Sequence, residues 1–125
     1  MKIEITIPDE AIEDVFVTAI EGGSNYWYWI KSKSVDMVRE YEPKGSFSVA
    51  LYKSVMNHGA DIQVHDVESG DLLGTLSYDS IKDRIANLME SEHAHRMFNM
   101  MKGDYDAEDA DVVFQYMVMN EIVFG

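Results

Sequence analysis

Cysteine is absent from the 125-residue chain, so disulfide bonds and thiolate metal sites are excluded and a reducing, intracellular setting is expected. No apolar run approaches the ~18–20 residues of a membrane span. Basic residues are scarce as well. The chain has 10 lysines and arginines against 23 acidic residues, a net charge of −13. Because such a field repels phosphate backbones and anionic lipid surfaces, we expect no binding to DNA, RNA or membranes.

The few basic residues are concentrated in one part of the chain. Between Lys31 and Lys53 there are five basic and three acidic residues, a net charge of +2, which leaves −15 for the rest of the total of −13. A small anion therefore meets the least repulsion in this central segment.

Apolar residues recur at helical spacing in several segments. The first helix follows Pro8 and is expected to end at Gly22 in a left-handed conformation. Ser48 is expected to cap another helix, and Ser80 to form a capping box with Asp83. The expected helices cover residues 9–20, 49–57, 80–89, 93–101 and about 110–120.

Alternating or aromatic-rich segments predict strands at residues 2–7, 25–30, 61–67 and 72–78, the last two joined by the turn "ESGD". Residues 31–47 have weak periodicity and are expected to form a loop or a short irregular strand. The length fits a single domain covering residues 1–125. The order of the elements predicts an α+β fold with a small antiparallel sheet packed with an N-terminal helix and C-terminal helices.

The segment "NYWYWI" places four aromatic residues directly after two glycines. Strand alternation would send Tyr26 and Tyr28 to one face, and Trp27 and Trp29 to the other. One pair is expected to pack on the first helix. The other pair needs a second partner, which is another sheet layer, another subunit or a ligand.

Several sequence patterns resemble metal-binding or catalytic sites but lack features that such sites require. The spacing of acids in "DYDAED" resembles a calcium loop, but the glycine required at the sixth position is Asp109, and the twelfth is Gln115. His93 and His95 lie two residues apart on an expected helix, where their side chains point in different directions. No phosphate loop, dinucleotide fingerprint or nucleophile motif occurs. We therefore expect no catalytic residue, no metal site and no cofactor, and the protein is predicted not to be an enzyme.

The residues that remain as candidates are those suited to holding a nucleotide. Tyr26 or Trp27 would stack on a base, which contributes about 1–3 kcal/mol. Arg84 or Arg96 would pair with phosphate, and Arg39 in the basic central segment is a further candidate. Asp111 and Gln115 lie on one polar stripe of the last helix and would contact a sugar or base. The competing interpretations are that the aromatic residues only pack in the core, and that the polar stripe is a solvated helix face.

The last helix is apolar on nearly every side, which predicts that it is buried or lies at a subunit interface. Together with the large number of big apolar residues, this pattern predicts a homo-oligomer.

Two stretches, "TAIEGGSNYWY" (18–28) and "DAEDADVVFQYMVMNEIVFG" (106–125), resemble a family of small phage and prophage proteins. This family is similar to the first described group of anti-Thoeris sponge proteins. The chain departs from the family pattern at Asn120, where glycine is expected, and at Phe124, where tyrosine is common. The family's contact residues cannot be transferred position by position.

The resemblance implies a protein that binds a cyclic ADP-ribose-type signal, or a cyclic oligonucleotide, and sequesters it without cleaving it. It also implies a homo-oligomer with an N-terminal sheet, C-terminal helices and pockets shared across subunits, acting in the cytoplasm of the infected bacterial host. Two alternatives remain open. An acidic DNA mimic or protein-binding inhibitor of a bacterial defence nuclease would fit the negative charge, and a phage accessory domain would bind no small ligand.

Overall fold

The computed structural model describes residues 4–125. The described residues form an α+β fold, as the sequence predicts, with six α-helices and one three-stranded antiparallel sheet. In chain order the elements are α1 (Asp9–Thr18), β1 (Tyr28–Trp29), α2 (Ser32–Tyr41), α3 (Phe47–His58), β2 (Ile62–Asp66), β3 (Leu72–Leu76), α4 (Tyr78–Met89), α5 (Ala94–Lys102) and α6 (Ala107–Met119).

The sheet has the order β1-β2-β3, and both pairings are antiparallel. The predicted hairpin between β2 and β3 is confirmed. Its turn is closed by Asp66, whose carboxylate accepts hydrogen bonds from the backbone N–H groups of Glu68 and Ser69, and by Gly70 at φ 78°. The inward side chains of β2, Ile62 and Val64, are fully buried.

Helix α6 is the centre of the molecule. It packs against α1, α4, α5 and β3, and residues Asp109–Gln115 are all buried. Phe114 on this helix meets Phe16 of α1 edge to face, with 6.1 Å between ring centroids. The prediction that this helix is buried is confirmed. The sequence predicts that this helix is buried or lies at a subunit interface, and of these two alternatives the structure shows burial within one chain.

The described part of the predicted first strand, residues 4–7, is not a strand. Residues 4–8 lie outside any strand, and residues 1–3 are outside the described part of the chain. An alternating segment forms a strand only where it pairs with a neighbouring strand. In the described sheet β1 and β3 each pair with β2, and residues 4–7 are not paired with either of these edge strands. Ile7 still packs against the core, whereas Ile5 is 51% exposed.

The segment predicted as a loop contains helix α2. Val38 is the buried residue of this helix. Its backbone carbonyl accepts a hydrogen bond from the Ser54 hydroxyl of α3 at 3.4 Å. The apolar residues of α2 that pack inward, Val35, Met37 and Val38, fall within four positions, which is too short a stretch to show a helical period in the sequence.

The first helix continues into a π-helical turn at Ala19–Gly23, closed by a bond from the Ser24 N–H to the Ala19 carbonyl at 2.9 Å. Gly22 lies at φ 164°, so the expected left-handed stop is wrong.

Two predicted caps are also corrected. The capping box of α4 joins Ser77 and Ser80, without Asp83. Ser48 lies inside the first turn of α3, where it is buried and donates to Glu21 at 3.2 Å. No helix in the described residues is both long and apolar enough to cross a bilayer.

Candidate functional site

A cleft of about 530 Å³ opens where the π-helical turn, the start of α5, α6 and the C-terminal segment meet. It brings together four of the six candidate residues from the sequence: Tyr26, Arg96, Asp111 and Gln115. The other lining residues are Gly22, Gly23, His93, Ala107, Glu108, Val112, Ile122, Phe124 and Gly125.

Asp111 organises the base of this cleft. One carboxylate oxygen accepts hydrogen bonds from Ser24 Oγ at 2.6 Å and from Trp27 Nε1 at 2.8 Å. The other accepts from the Tyr26 hydroxyl and from Gln115 Nε2, the latter at 3.1 Å. The carboxylate is buried, and these four donors satisfy it. Asp111 therefore fixes the turn at residues 24–27 onto α6.

Gln115 fixes the C-terminal segment in the same way. Its side-chain oxygen accepts from the backbone N–H groups of Val123 and Phe124, both at 2.9 Å, and its amide nitrogen donates to the Phe124 carbonyl at 3.1 Å. The Phe124 ring then stacks on Trp27, with 5.4 Å between centroids and 9° between planes. As a result, the C-terminal segment forms one wall of the cleft.

Tyr26 stands at the rim with 51% of its surface exposed. The pKa of Tyr26 is raised above its ordinary value. Burial is the largest cause, and the hydrogen bond to Asp111 and the negative charge of that carboxylate add to it. The phenol therefore stays protonated and acts as a donor, while the ring offers an open face to the cleft. The sequence predicts that Tyr26 or Trp27 stacks on a base. In the structure the Tyr26 ring is exposed at the cleft, so Tyr26 can take this role.

Arg96 is held by two acids at the start of α6. It donates to Asp109 at 2.8 Å and to Glu108 at 3.1 Å, and its Nε is buried with no partner among the described residues. Burial would raise the pKa of Asp109, but the hydrogen bonds from Arg96, the Asp106 N–H and Asn99 outweigh it and lower that pKa. The ion pair between Arg96 and Glu108 is weaker than the one between Arg96 and Asp109, because 70% of the Glu108 side chain is exposed.

Trp27 and Arg84 do not line the cleft, so of the predicted alternatives for stacking and for phosphate pairing, the cleft contains Tyr26 and Arg96. Only 1% of Trp27 is exposed, so its ring has no free face for a base. Arg84 donates to the backbone carbonyls of Met117, at 2.8 Å, and Val118, and so caps the end of α6.

The aromatic run is a turn for its first half and a strand only at Tyr28–Trp29. The predicted alternation is therefore wrong. It places Trp27 and Trp29 on the same face, whereas Trp27 is buried and Trp29 is 45% exposed.

Ser24 is a contributor that the sequence reasoning does not single out, and His93 is considered there only as a metal ligand. Ser24 reaches Asp111 across 87 positions in the chain, and no local pattern reports such a contact. His93 lines the cleft and lies 3.4 Å from the exposed Glu92 carboxylate.

The cleft can hold a ligand by one aromatic face, one arginine and several acceptors. Within residues 4–125 no cluster of three or more His, Cys, Asp or Glu side chains is arranged to hold a metal ion. No protein-family model, curated protein or solved structure matches the chain in the comparisons made.

Proposed function

We propose that the protein binds and sequesters a nucleotide signal, of the cyclic ADP-ribose type or a cyclic oligonucleotide, in the cleft around Tyr26 and Asp111. The supporting observation is that an exposed tyrosine ring, an arginine, and carboxylate and amide groups line one cleft of about 530 Å³. This volume falls within the range of small-molecule sites, roughly 300–1,000 Å³.

Each part of a nucleotide has a counterpart in the cleft. The exposed face of Tyr26 accepts a purine ring by stacking. Arg96 pairs with phosphate when the exposed Glu108 carboxylate gives up its contact, since Asp109 still holds the guanidinium in place. The released Glu108 can then accept a hydrogen bond from a ribose hydroxyl or an exocyclic amine.

Three features favour binding without cleavage. The Asp111 carboxylate is already occupied by four donors, which leaves it poorly placed to act as a general base. The raised pKa of Tyr26 keeps its oxygen from becoming a nucleophile near neutral pH. Hydrogen bonding to Asp109 raises the pKa of Arg96 despite its burial, so it remains a cation. We therefore propose that the protein is not an enzyme and releases its ligand unchanged.

The site of action that we propose is the cytoplasm of the infected bacterial host, where such a signal would be intercepted. We further propose a homo-oligomer. With α6 enclosed, the surface offered for it is the outer side of the sheet, where Val67 is 44% and Leu72 54% exposed.

A retention experiment tests the proposal. The purified protein is incubated with an extract containing cyclic ADP-ribose isomers and cyclic dinucleotides, desalted, and heated, and the released material is analysed by mass spectrometry. We expect one nucleotide of unchanged mass. Recovery of a hydrolysed product would contradict sequestration, and absence of any nucleotide would contradict nucleotide binding.

The acidic inhibitor is a second candidate because of the net charge of −13. A protein of this kind retains a defence nuclease rather than a nucleotide. Capture of a nuclease that salt releases, with no bound nucleotide, would support this candidate in place of the sponge.

A further inference from the structure

A second pocket, of about 390 Å³, lies on a different part of the surface, between the π-helical turn, β1 and the starts of α2 and α3. It shares no lining residue with the cleft. Its walls are formed by Ile20, Asn25, Tyr28, Trp29, Ile30, Val35 and Phe47.

The pocket is aromatic and carries no charge on its walls. Trp29 is 45% exposed, so its indole ring can be covered further. Tyr28 is held in place by its hydroxyl, which donates to the Ile20 carbonyl at 3.2 Å. Asn25 is exposed and supplies the one side-chain amide of the lining. Planar rings pack well on such walls because every base or aromatic ring presents an apolar face.

A guanidinium group is fixed beside this pocket. The Arg39 Cζ lies 5.9 Å from the ring centroid of Phe47, a wall residue. One of its terminal nitrogens donates to the carbonyls of Gly45, at 3.1 Å, and Glu42, at 3.4 Å. The Glu42 carboxylate points elsewhere, toward His58 at 3.1 Å and Lys53 at 4.0 Å. Among the described ion pairs, Arg39 has no carboxylate partner.

Arg39 differs in this respect from Arg96, which is neutralised by Glu108 and Asp109. Arg84 also has no carboxylate partner among the described ion pairs, but its guanidinium is directed at the backbone carbonyls that end α6 and no residue of this pocket contacts it. The surrounding segment, Lys31–Lys53, also carries a net charge of +2 in a protein whose total is −13. Two acids directly follow wall residues: Glu21 follows Ile20 and accepts from Ser48, and the exposed Asp36, already counted in the net charge of the segment, follows Val35. The charge at this pocket is therefore complementary to an anion.

We propose that this pocket binds a planar aromatic anion, specifically a purine nucleotide carrying a phosphate group. The ring is covered by Trp29 and its aromatic neighbours, and the phosphate pairs with Arg39. A neutral ring would leave Arg39 unused, and a bare phosphate would leave the aromatic walls uncovered. This inference does not rest on the proposed function, because the cleft and the pocket can be tested with separate substitutions.

The experiment measures binding of three probes, AMP, adenosine and inorganic phosphate, by calorimetry at low salt. We expect AMP to bind more tightly than either of the other two. Trp29→Ala should weaken AMP binding by about 10-fold or more, corresponding to the loss of one stacked ring. Arg39→Gln should lower the affinity for AMP to about that for adenosine, because the phosphate loses its partner. Glu21→Gln should raise the affinity for AMP, because a negative charge near the pocket is removed. Tyr41→Ala, which lies outside both the cleft and the pocket, should leave the AMP affinity unchanged.

Conservative variants keep the test valid if a larger change disturbs folding. Trp29→Phe retains a ring, Arg39→Lys retains a charge, and near-ultraviolet circular dichroism reports whether the core is intact. Equal affinity for AMP and adenosine, or wild-type AMP binding by folded Trp29→Ala and Arg39→Gln proteins, would overturn the proposal. Loss of AMP binding in Tyr26→Ala alone would place the nucleotide in the cleft instead.

Discussion

Asp111 connects parts of the chain that are 84 to 87 residues apart, through Ser24, Tyr26 and Trp27. The sequence shows it as one member of a polar stripe on a helix, which is typical of a solvated face. The structure shows instead a buried acceptor at the base of a cleft. Tyr26, Arg96 and Gln115 could be selected with it because their side chains suit a nucleotide. What could not be predicted was which arginine and which ring reach the same cleft, because that depends on contacts between distant segments.

We expect Asp111→Asn to destabilise the protein by about 1–3 kcal/mol, because an amide nitrogen cannot accept and at least one buried donor loses its partner. Urea denaturation of both proteins measures the change. Asp104→Asn is the control, since Asp104 is exposed. Equal loss of stability in both variants would show that the effect comes from net charge and not from the hydrogen bonds.

Tyr26 predicts a dependence of stability on alkaline pH. Its pKa is raised in the folded protein, first by burial and then by Asp111. The unfolded chain releases this proton near its ordinary pKa of about 10, whereas the folded protein keeps it. The stability that Tyr26 contributes is therefore complete below that pH and is lost as the pH rises toward the folded-state pKa.

The measurement is the tyrosinate absorbance of the wild type minus that of Tyr26→Phe, followed during a pH titration under folding conditions. We expect the difference to appear only at a pH above that of free tyrosine. In Asp111→Asn the same difference should appear at lower pH. A difference that titrates at the ordinary tyrosine pKa in the wild type would contradict the hydrogen bond to Asp111.

At the scale of elements, the predictions were right where a segment contains its own signal. The β2–β3 hairpin has a glycine turn between two alternating segments, and α1, α3, α4 and α6 have buried apolar stripes. They failed where an element depends on its surroundings. Residues 4–7 alternate but have no strand beside them, and α2 is helical although little of it is buried.

The packing of β3 against α6 gives a prediction at this scale. A Cβ added at Gly74 would overlap the backbone carbonyl oxygen of Val118 and lie 2.9 Å from its carbon. Since neither backbone can retreat without moving the sheet or the helix end, we expect Gly74→Ala to cost about 1–3 kcal/mol or more. Thermal unfolding measures the loss.

The control for this substitution is Gln63→Ala on the neighbouring strand β2, where the side chain is exposed. It should change the melting temperature little. Wild-type stability of Gly74→Ala would mean that β3 and the end of α6 do not approach as closely as the structure shows.

For the whole molecule, charge and exposed apolar surface lead to a joint prediction about assembly. The net charge of −13 should keep the protein from binding duplex DNA, even at low salt. The exposed side chains on the outer side of the sheet should hold copies of the chain together. Light scattering at micromolar concentration should give a multiple of the chain mass, and Leu72→Ser should reduce it. A monomeric mass for the wild type would contradict the oligomer.

The central claim is that the cleft at Tyr26 holds a nucleotide and returns it unchanged. The most direct test is calorimetric titration of cyclic ADP-ribose isomers and cyclic dinucleotides into the wild type, Tyr26→Ala and Tyr41→Ala. Tyr41 is a matched control because it is 43% exposed and lies outside the cleft. We predict that one nucleotide binds the wild type and Tyr41→Ala equally, binds Tyr26→Ala about 10-fold or more weakly, and is recovered intact after heating. Binding to none of the three proteins, or equal binding to all three, would contradict the claim.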